Sequence, residues 1–101
     1  MICTLTARRL KADTTYEAFR EAWDPGTIER AAELGWKRIY HVRDIEDPHI
    51  VISFGLFDGT VEELRSAQEA LRRAAQLDRV GPHVEKVLLD GSYEIIEEIE
   101  S

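Results

Sequence analysis

The amino-acid sequence predicts an α+β protein in which helices cover one face of an antiparallel sheet. Three observations favour this fold class. Runs of alternating β-branched and aromatic residues indicate strands, and residues 36–57 carry two such runs joined by the turn sequence Glu46-Asp47-Pro48. Apolar residues at helical spacing follow both the first strand and this hairpin. The length of 101 residues leaves room for one core, so we expect one domain over residues 1–101.

Composition and charge argue against several classes of function. A net charge of −7 repels nucleic acid, and no aromatic residues are interleaved with the basic cluster at Arg8, so no nucleic-acid partner is expected. Cys3 is the single cysteine, which rules out an intrachain disulfide and a thiolate metal cluster. No segment approaches the roughly 18 apolar residues that span a bilayer. We therefore expect a cytoplasmic protein without a membrane partner, and the excess of arginine over lysine is typical of a GC-rich or heat-adapted bacterium.

The first strand and the first helix are predicted from the start of the chain. Residues 2–11 form a β-branched run without a breaker. Its alternation separates an apolar from a polar face, with Cys3, Leu5 and Ala7 on the former and Thr4, Thr6 and Arg8 on the latter. A capping box is predicted from Thr14 to Glu17. Tyr16, Phe19 and Trp23 then form an apolar stripe, which is interpreted as core or as the wall of a ligand pocket.

Asp24-Pro25-Gly26 is predicted to break this helix. Thr27 is expected to cap a second segment, and Gly35 is expected to end it. The inward positions of that segment are Ile28, Ala31, Ala32 and Leu34. The break is interpreted either as a packing kink or as the entrance of a cavity.

The hairpin follows, and its two strands are expected to close around Asp47. This register pairs His41 with Ser53 and Tyr40 with Phe54. One face of the hairpin is then apolar. The other face is mixed, and its polar members are His41, Arg43 and Ser53.

The last third of the chain predicts a helix, a strand and an extended arm. Thr60 and Glu63 form a second capping box, and Gly81-Pro82 ends the helix that it begins. Residues 84–89 predict the fourth strand, which Asp90-Gly91-Ser92 interrupts. Residues 93–99 are extended and hydrophobic, and we expect this arm to complete the sheet of a second copy.

The resulting order is strand, broken helix, strand, strand, helix, strand, which is the ferredoxin-like βαββαβ arrangement. Such a sheet leaves one face without helices. That face exposes an apolar patch too large for a monomer, so we expect a homodimer that forms a dimeric α/β barrel. The predicted interface comprises Trp36, Tyr40, Val42, Ile52, Phe54 and Leu56 on the hairpin and Tyr93 and Ile95 on the arm.

Four stretches carry a resemblance to a known group of proteins. They are the N-terminal strand, the segment GWKRIYHV, the joint VISFGLFDGTVEELRSAQ and the terminal segment YEIIEEI. Together they resemble the dimeric α/β barrel superfamily, which includes antibiotic-biosynthesis-type monooxygenases and haem-degrading enzymes. The resemblance implies a small molecule bound between the sheet and the helices.

The functional residues of that superfamily are mostly missing. Its haem-degrading members use an Asn on the first strand, a Trp at the end of the third and a His on the following helix. Those positions fall on Ala7 and Phe57, and residues 60–79 contain no His, so haem is not expected. Members that form quinones without a cofactor commonly use Asn, Trp, Tyr and Arg, whereas this chain has no Asn. Because the haem-contacting residues are missing and no Gly-rich phosphate loop is present, we expect no cofactor.

The candidate site residues come from the mixed face and its surroundings. His41 is interpreted either as a general base or as a hydrogen-bonded structural histidine, and Arg43 as a ligand contact or as the partner of a nearby Glu. The predicted ligand pocket comprises Ser53, Phe57, Tyr16, Trp23 and His83. A Ser53-His41-Asp44 triad is rejected because Asp44 should face the other way. No paired His spacing predicts a metal site.

Two functions remain open from the sequence. The first is a homodimeric small-molecule-binding protein. Its catalytic version is a monooxygenase-like enzyme that needs no cofactor and acts on an aromatic or polyketide-type compound. The second is a non-catalytic dimeric interaction module whose pocket is filled by its own side chains.

Overall fold

The computed structural model describes residues 1–23, 25–71 and 78–100, and for residues 25–28 it describes the backbone alone. The strands are β1 (Ile2–Leu10), β2 (Trp36–Arg43), β3 (Ile50–Phe57) and β4 (Val84–Glu94). The helices are α1 (Tyr16–Ala22), α2 (Pro25–Leu34) and α3 (Val61–Ala70), and a 3₁₀ turn at Gly81–His83 leads into β4. The sheet has the order β2-β3-β1-β4 with antiparallel pairing throughout. The predicted ferredoxin-like α+β fold is confirmed.

The register of the hairpin is the predicted one over most of its length. His41 lies opposite Ser53, and Tyr40 lies opposite Phe54. In an antiparallel pair the residues directly opposite each other share a face. The helices therefore cover the face that carries His41 and Ser53, whereas Tyr40 and Phe54 lie on the open face, where their rings stack at 4.9 Å.

Trp36 lies on the helix-covered face, so its predicted place on the open face was wrong. The register shifts by one residue between Trp36 and Arg38, because Lys37 forms a bulge in β2. Trp36 consequently pairs with Phe57, and only 8% of its surface is exposed. A one-residue shift moves a side chain across the sheet, because side chains alternate along a strand.

The core between sheet and helices consists of two clusters. One surrounds Phe57 and Trp36, whose ring centroids lie 4.9 Å apart, and includes Leu64 of α3. The other surrounds Phe19 of α1 and Val51 of β3. The floor between these clusters is made of small polar side chains, and this leaves a cavity.

The helix ends agree only in part with the predictions. The Thr60–Glu63 capping box is confirmed in both of its hydrogen bonds. The first capping box was wrong, because Thr15 rather than Thr14 caps α1 and accepts from the N–H of Ala18. Thr27 was also wrong as a cap, because α2 begins at Pro25, a residue suited to a first helical position by its fixed φ.

The end of α2 follows the predictions more closely. Gly35 ends the helix with a φ of 126°, the backbone conformation that favours glycine. Ala31 is buried and Leu34 is half-buried, as expected of inward positions, whereas Ala32 is exposed. The side chain of Ile28 lies outside the described residues, as do residues 72–77 of the helix that was predicted to run from Thr60 to Gly81-Pro82.

The predicted interruption of β4 at Asp90-Gly91-Ser92 was wrong. These residues stay paired with Thr6, Leu5 and Thr4 of β1, and the irregularities of this pair lie further towards the start of β4. The Tyr93 side chain lies over Gly91, and a Cβ there would come within 2.6 Å of its hydroxyl oxygen and 2.8 Å of its ring. The arm therefore begins at Ile95, whose N–H donates to the carbonyl of Met1 at 3.0 Å.

Candidate ligand-binding cavity

A cavity of about 340 Å³ lies between the sheet and the helices. Its floor is formed by short side chains of the three adjacent strands β1, β3 and β4. Its walls carry the indole rings of Trp23 and Trp36, and Arg65 and Gln68 of α3 also line it. The lining residues that contribute hydroxyl groups are Thr4, Thr6, Ser53 and Ser92.

Gly55 allows Trp36 to lie across the floor. A Cβ at this position would come within 2.7 Å of the indole ring and 3.3 Å of Thr4 Oγ1. Because Gly55 has no side chain, the indole reaches β1, where its Nε1–H donates to Thr4 Oγ1 at 3.3 Å. The Trp36 ring is thereby held by packing against Gly55 and by its hydrogen bond to Thr4.

A hydrogen-bonded chain of three side chains lies at the other end of the floor. Arg8 is only 4% exposed, and its guanidinium lies 5.5 Å from the centre of the Phe19 ring. Arg8 Nη1 donates to Ser53 Oγ at 3.5 Å, and Ser53 Oγ lies 2.8 Å from His41 Nδ1. The serine thus connects the histidine to the cavity.

His41 is enclosed by aromatic rings and by positive charge. Its ring lies edge to face with Trp23 at 4.6 Å and is flanked by Tyr16 and Phe19. Burial, together with the smaller effects of the Arg20 and Arg8 charges, lowers the pKa of His41 to about 4. The imidazole is consequently neutral at pH 7. Among the described residues, His41 Nε2 and Trp23 Nε1 are buried without a hydrogen-bond partner.

Comparison with known proteins gives matches among solved structures. No protein-family model and no curated protein matches the sequence. A protein provisionally described as an antibiotic biosynthesis monooxygenase from Nitrosomonas europaea has a TM-score of 0.75 at 21% identity, covering 96% of this chain and 100% of that one. A dimeric ferredoxin-like protein from an uncultured marine organism has a TM-score of 0.77 at 13% identity, with coverages of 99% and 91%. SnoaB from Streptomyces nogalater, a cofactor-independent oxygenase, has a TM-score of 0.76 at 9% identity, with coverages of 99% and 97%.

This chain has the ferredoxin-like fold of these proteins. The resemblance predicted from the sequence is thereby confirmed at the level of the fold. At these identities the likeness extends to the fold alone, so the site has to be judged by its own residues.

The ferredoxin-like fold brings some of the predicted pocket residues to the cavity and leaves others away from it. Ser53 and Trp23 line the cavity, and His41 lies behind Ser53. Tyr16 packs on the His41 ring and does not line the cavity. Phe57 does not line it either, because its ring is buried in the core.

His83 and Arg43 also lie away from the cavity lining. His83 Nδ1 lies 2.8 Å from Thr14 Oγ1, a contact that ties the start of β4 to the loop before α1. Arg43 is exposed at the end of β2. Asp44 accepts from the backbone N–H groups of Glu46 and Asp47, so its carboxylate caps the hairpin turn.

The predicted pocket did not include Thr4, Thr6, Arg8, Trp36 or Asp90, all of which line the cavity. Thr4, Thr6 and Arg8 could have been found from the sequence, because the alternation of β1 placed them on one polar face. Trp36 was missed because of the bulge. Among residues 1–23, 25–71 and 78–100, no three His, Cys, Asp or Glu side chains are placed to hold a metal ion, and no helix there is long and apolar enough to cross a membrane.

Proposed function

We propose that this protein binds a planar aromatic small molecule in the cavity. The observation that carries the proposal is an open space of about 340 Å³ with indole rings in its walls and hydroxyl groups on its floor. Small-molecule pockets are commonly about 300–1,000 Å³, so this one suits a molecule of one or two rings. The cavity also argues against the filled-pocket alternative, because Tyr16 and Phe57 pack elsewhere.

Oxygenation of the bound molecule without a cofactor is a second candidate. It is favoured by the fold that this chain shares with SnoaB, which is described as a cofactor-independent oxygenase. His41 would be the base, but a pKa of about 4 makes it a weak proton acceptor, and it reaches the cavity only through Ser53. The geometry therefore supports binding more strongly than catalysis.

Binding is expected to be visible at the two tryptophans of the chain. Because Trp23 and Trp36 line the cavity, one- and two-ring phenols should shift both indole N–H signals in ¹⁵N-resolved NMR titrations. Ser53→Leu places a larger side chain on the floor and should weaken binding at least about tenfold, which is about 1.4 kcal/mol. Val61→Leu, an enlargement at an exposed position of α3 outside the cavity lining, is the control and should bind as the wild type does.

Unshifted indole signals with every phenol tested would contradict the binding proposal. Oxygen uptake with anthrone-like phenols tests the second candidate separately. A phenol that binds without oxygen uptake would leave binding in place and remove the oxygenase.

We further propose that the open face is the interface of a homodimer. Its apolar side chains are only partly covered, as Val42 shows with 40% of its surface exposed. Apolar patches of this kind commonly mark interfaces, and one protein with this fold is described as dimeric. The arm beyond β4 adds Ile96 and Ile99, of which Ile96 is 89% exposed. The proposed sheet contacts are Tyr40, Val42, Ile52, Phe54, Leu56 and Tyr93.

Val42→Glu is expected to convert the dimer to a monomer at micromolar concentration, because it places a charge in an apolar interface. The matched control is Val61→Glu at an exposed position on α3, on the other side of the molecule. Light scattering measures both. Removing residues 95–101 should weaken association as well. A wild-type monomer, or a Val42→Glu dimer as stable as the wild type, would contradict this interface.

A further inference from the structure

The hydroxyl group of Thr4 has its hydrogen-bonding direction set by Trp36. The indole Nε1–H donates to Thr4 Oγ1 at 3.3 Å. An indole nitrogen can only donate, so the threonine oxygen is the acceptor in this bond. The hydroxyl proton of Thr4 has no acceptor among the described side chains, and Thr4 lines the cavity. Thr4 therefore offers a hydrogen-bond donor to a molecule bound there.

The hydroxyl group of Thr6 is left with the opposite capacity, that of a hydrogen-bond acceptor. Thr6 Oγ1 lies 2.9 Å from Asp90 Oδ1, across the β1–β4 pair. An ionised carboxylate can only accept, so Thr6 donates its one proton to Asp90. The lone pairs that remain on Thr6 Oγ1 can accept a hydrogen bond from the cavity, which Thr6 also lines.

Ser53, which lies opposite Thr6 on β3, is already engaged. Its oxygen accepts from Arg8 and is 2.8 Å from His41 Nδ1. Ser92, the remaining lining hydroxyl group, has no partner among the described side chains that sets its direction. Thr4 and Thr6 are therefore the lining hydroxyl groups that combine a direction set by a protein partner with unused hydrogen-bonding capacity towards a ligand. They are two residues apart on the same face of β1, which separates them by about 6.7 Å.

From this polarity we infer that the cavity selects a 4-hydroxyaryl carbonyl compound, with its carbonyl oxygen on Thr4 and its hydroxyl group on Thr6. The inference rests on the proposed function, since it names the class of planar aromatic that the cavity takes. When the carbonyl and hydroxyl groups are para to each other, they are far enough apart to contact Thr4 and Thr6 at the same time. In an ortho-related pair the hydroxyl group donates to the neighbouring carbonyl oxygen of the same molecule, so its proton is not available to Thr6.

Three matched probes test the inference in the full-length protein. 4-Hydroxyacetophenone carries both groups, acetophenone lacks the hydroxyl group, and 4-ethylphenol lacks the carbonyl group. Dissociation constants come from the Trp23 and Trp36 indole N–H signals. A neutral hydrogen bond contributes about 1 kcal/mol, so the wild type should bind 4-hydroxyacetophenone roughly fivefold more tightly than either of the other probes.

Two variants assign each preference to one threonine. Thr4→Val should abolish the preference for 4-hydroxyacetophenone over 4-ethylphenol and keep the preference over acetophenone. Thr6→Val should abolish the preference for 4-hydroxyacetophenone over acetophenone and keep the preference over 4-ethylphenol. Valine has nearly the shape of threonine, and circular dichroism spectra and thermal unfolding verify that each variant is folded.

The outcomes separate the inference from the proposed function. The crossed pattern of the two variants supports the inference. Equal affinity of the wild type for all three probes overturns it while leaving aromatic binding intact, and an exchanged pattern, in which Thr6→Val loses the carbonyl preference, overturns the assigned polarity. No shift with any of these probes or with the larger phenols would overturn both.

Discussion

Replacing Phe57 by alanine is expected to lower the free energy of unfolding by about 3–5 kcal/mol, the usual loss for a large aromatic residue in a core. The ring is 1% exposed and packs against Trp36 and Leu64. It also fills the space between two turns, because a Cβ on Gly35 or Gly59 would lie within 2.9 Å or 2.7 Å of it. One ring thus supports the end of α2, the start of β2 and the turn before α3.

Urea unfolding followed by circular dichroism measures this loss, and Phe57→Leu gives a smaller step should the alanine variant not fold. Phe54→Ala is the matched control, since Phe54 precedes it on the opposite face and is only partly buried. It should cost less than about 2 kcal/mol at the same dilute protein concentration. Equal losses for the two alanine variants would contradict the assignment of Phe57 to the core.

Acid is expected to destabilise the protein through His41. The pKa of this residue is about 4 in the folded protein, whereas its ordinary value in an unfolded chain is about 6.5. Between these values the unfolded chain binds more protons, so the free energy of unfolding falls as the pH is lowered. The contribution is present in full above about pH 6.5 and is lost as the pH falls through about 4. Because the ring is only partly buried, we expect about 1–2 kcal/mol.

The measurement compares wild type and His41→Gln by urea unfolding at pH 7 and at pH 4.5. Glutamine removes the titrating ring and can still form a hydrogen bond with Ser53, so the variant should lose less stability between the two pH values. Carboxylates titrate in both proteins, and their effect cancels in the difference. Identical losses in the two proteins would show that His41 does not carry this part of the acid sensitivity.

The hairpin illustrates what local pattern can predict. The turn at Asp47 and the alternation of its two strands sufficed to pair His41 with Ser53 and Tyr40 with Phe54. Cross-strand neighbours follow from turn position once side chains alternate. The Thr60–Glu63 capping box and the Gly35 helix end were likewise predictable, because both depend on residues next to each other in the chain.

The cavity depended on contacts that no local pattern contains. The bulge at Lys37 moved Trp36 from the open face to the cavity wall, and the small size of Gly55 gave its ring a place to lie. Trp36 and Thr4 then meet across 32 positions of sequence, and Thr6 and Asp90 meet across 84. The sequence by itself determined the element order, the hairpin register and a polar face on β1. The tertiary structure alone decided which threonine can donate to a ligand and which can accept from it, because hydrogen-bond direction depends on partners that only folding brings within reach.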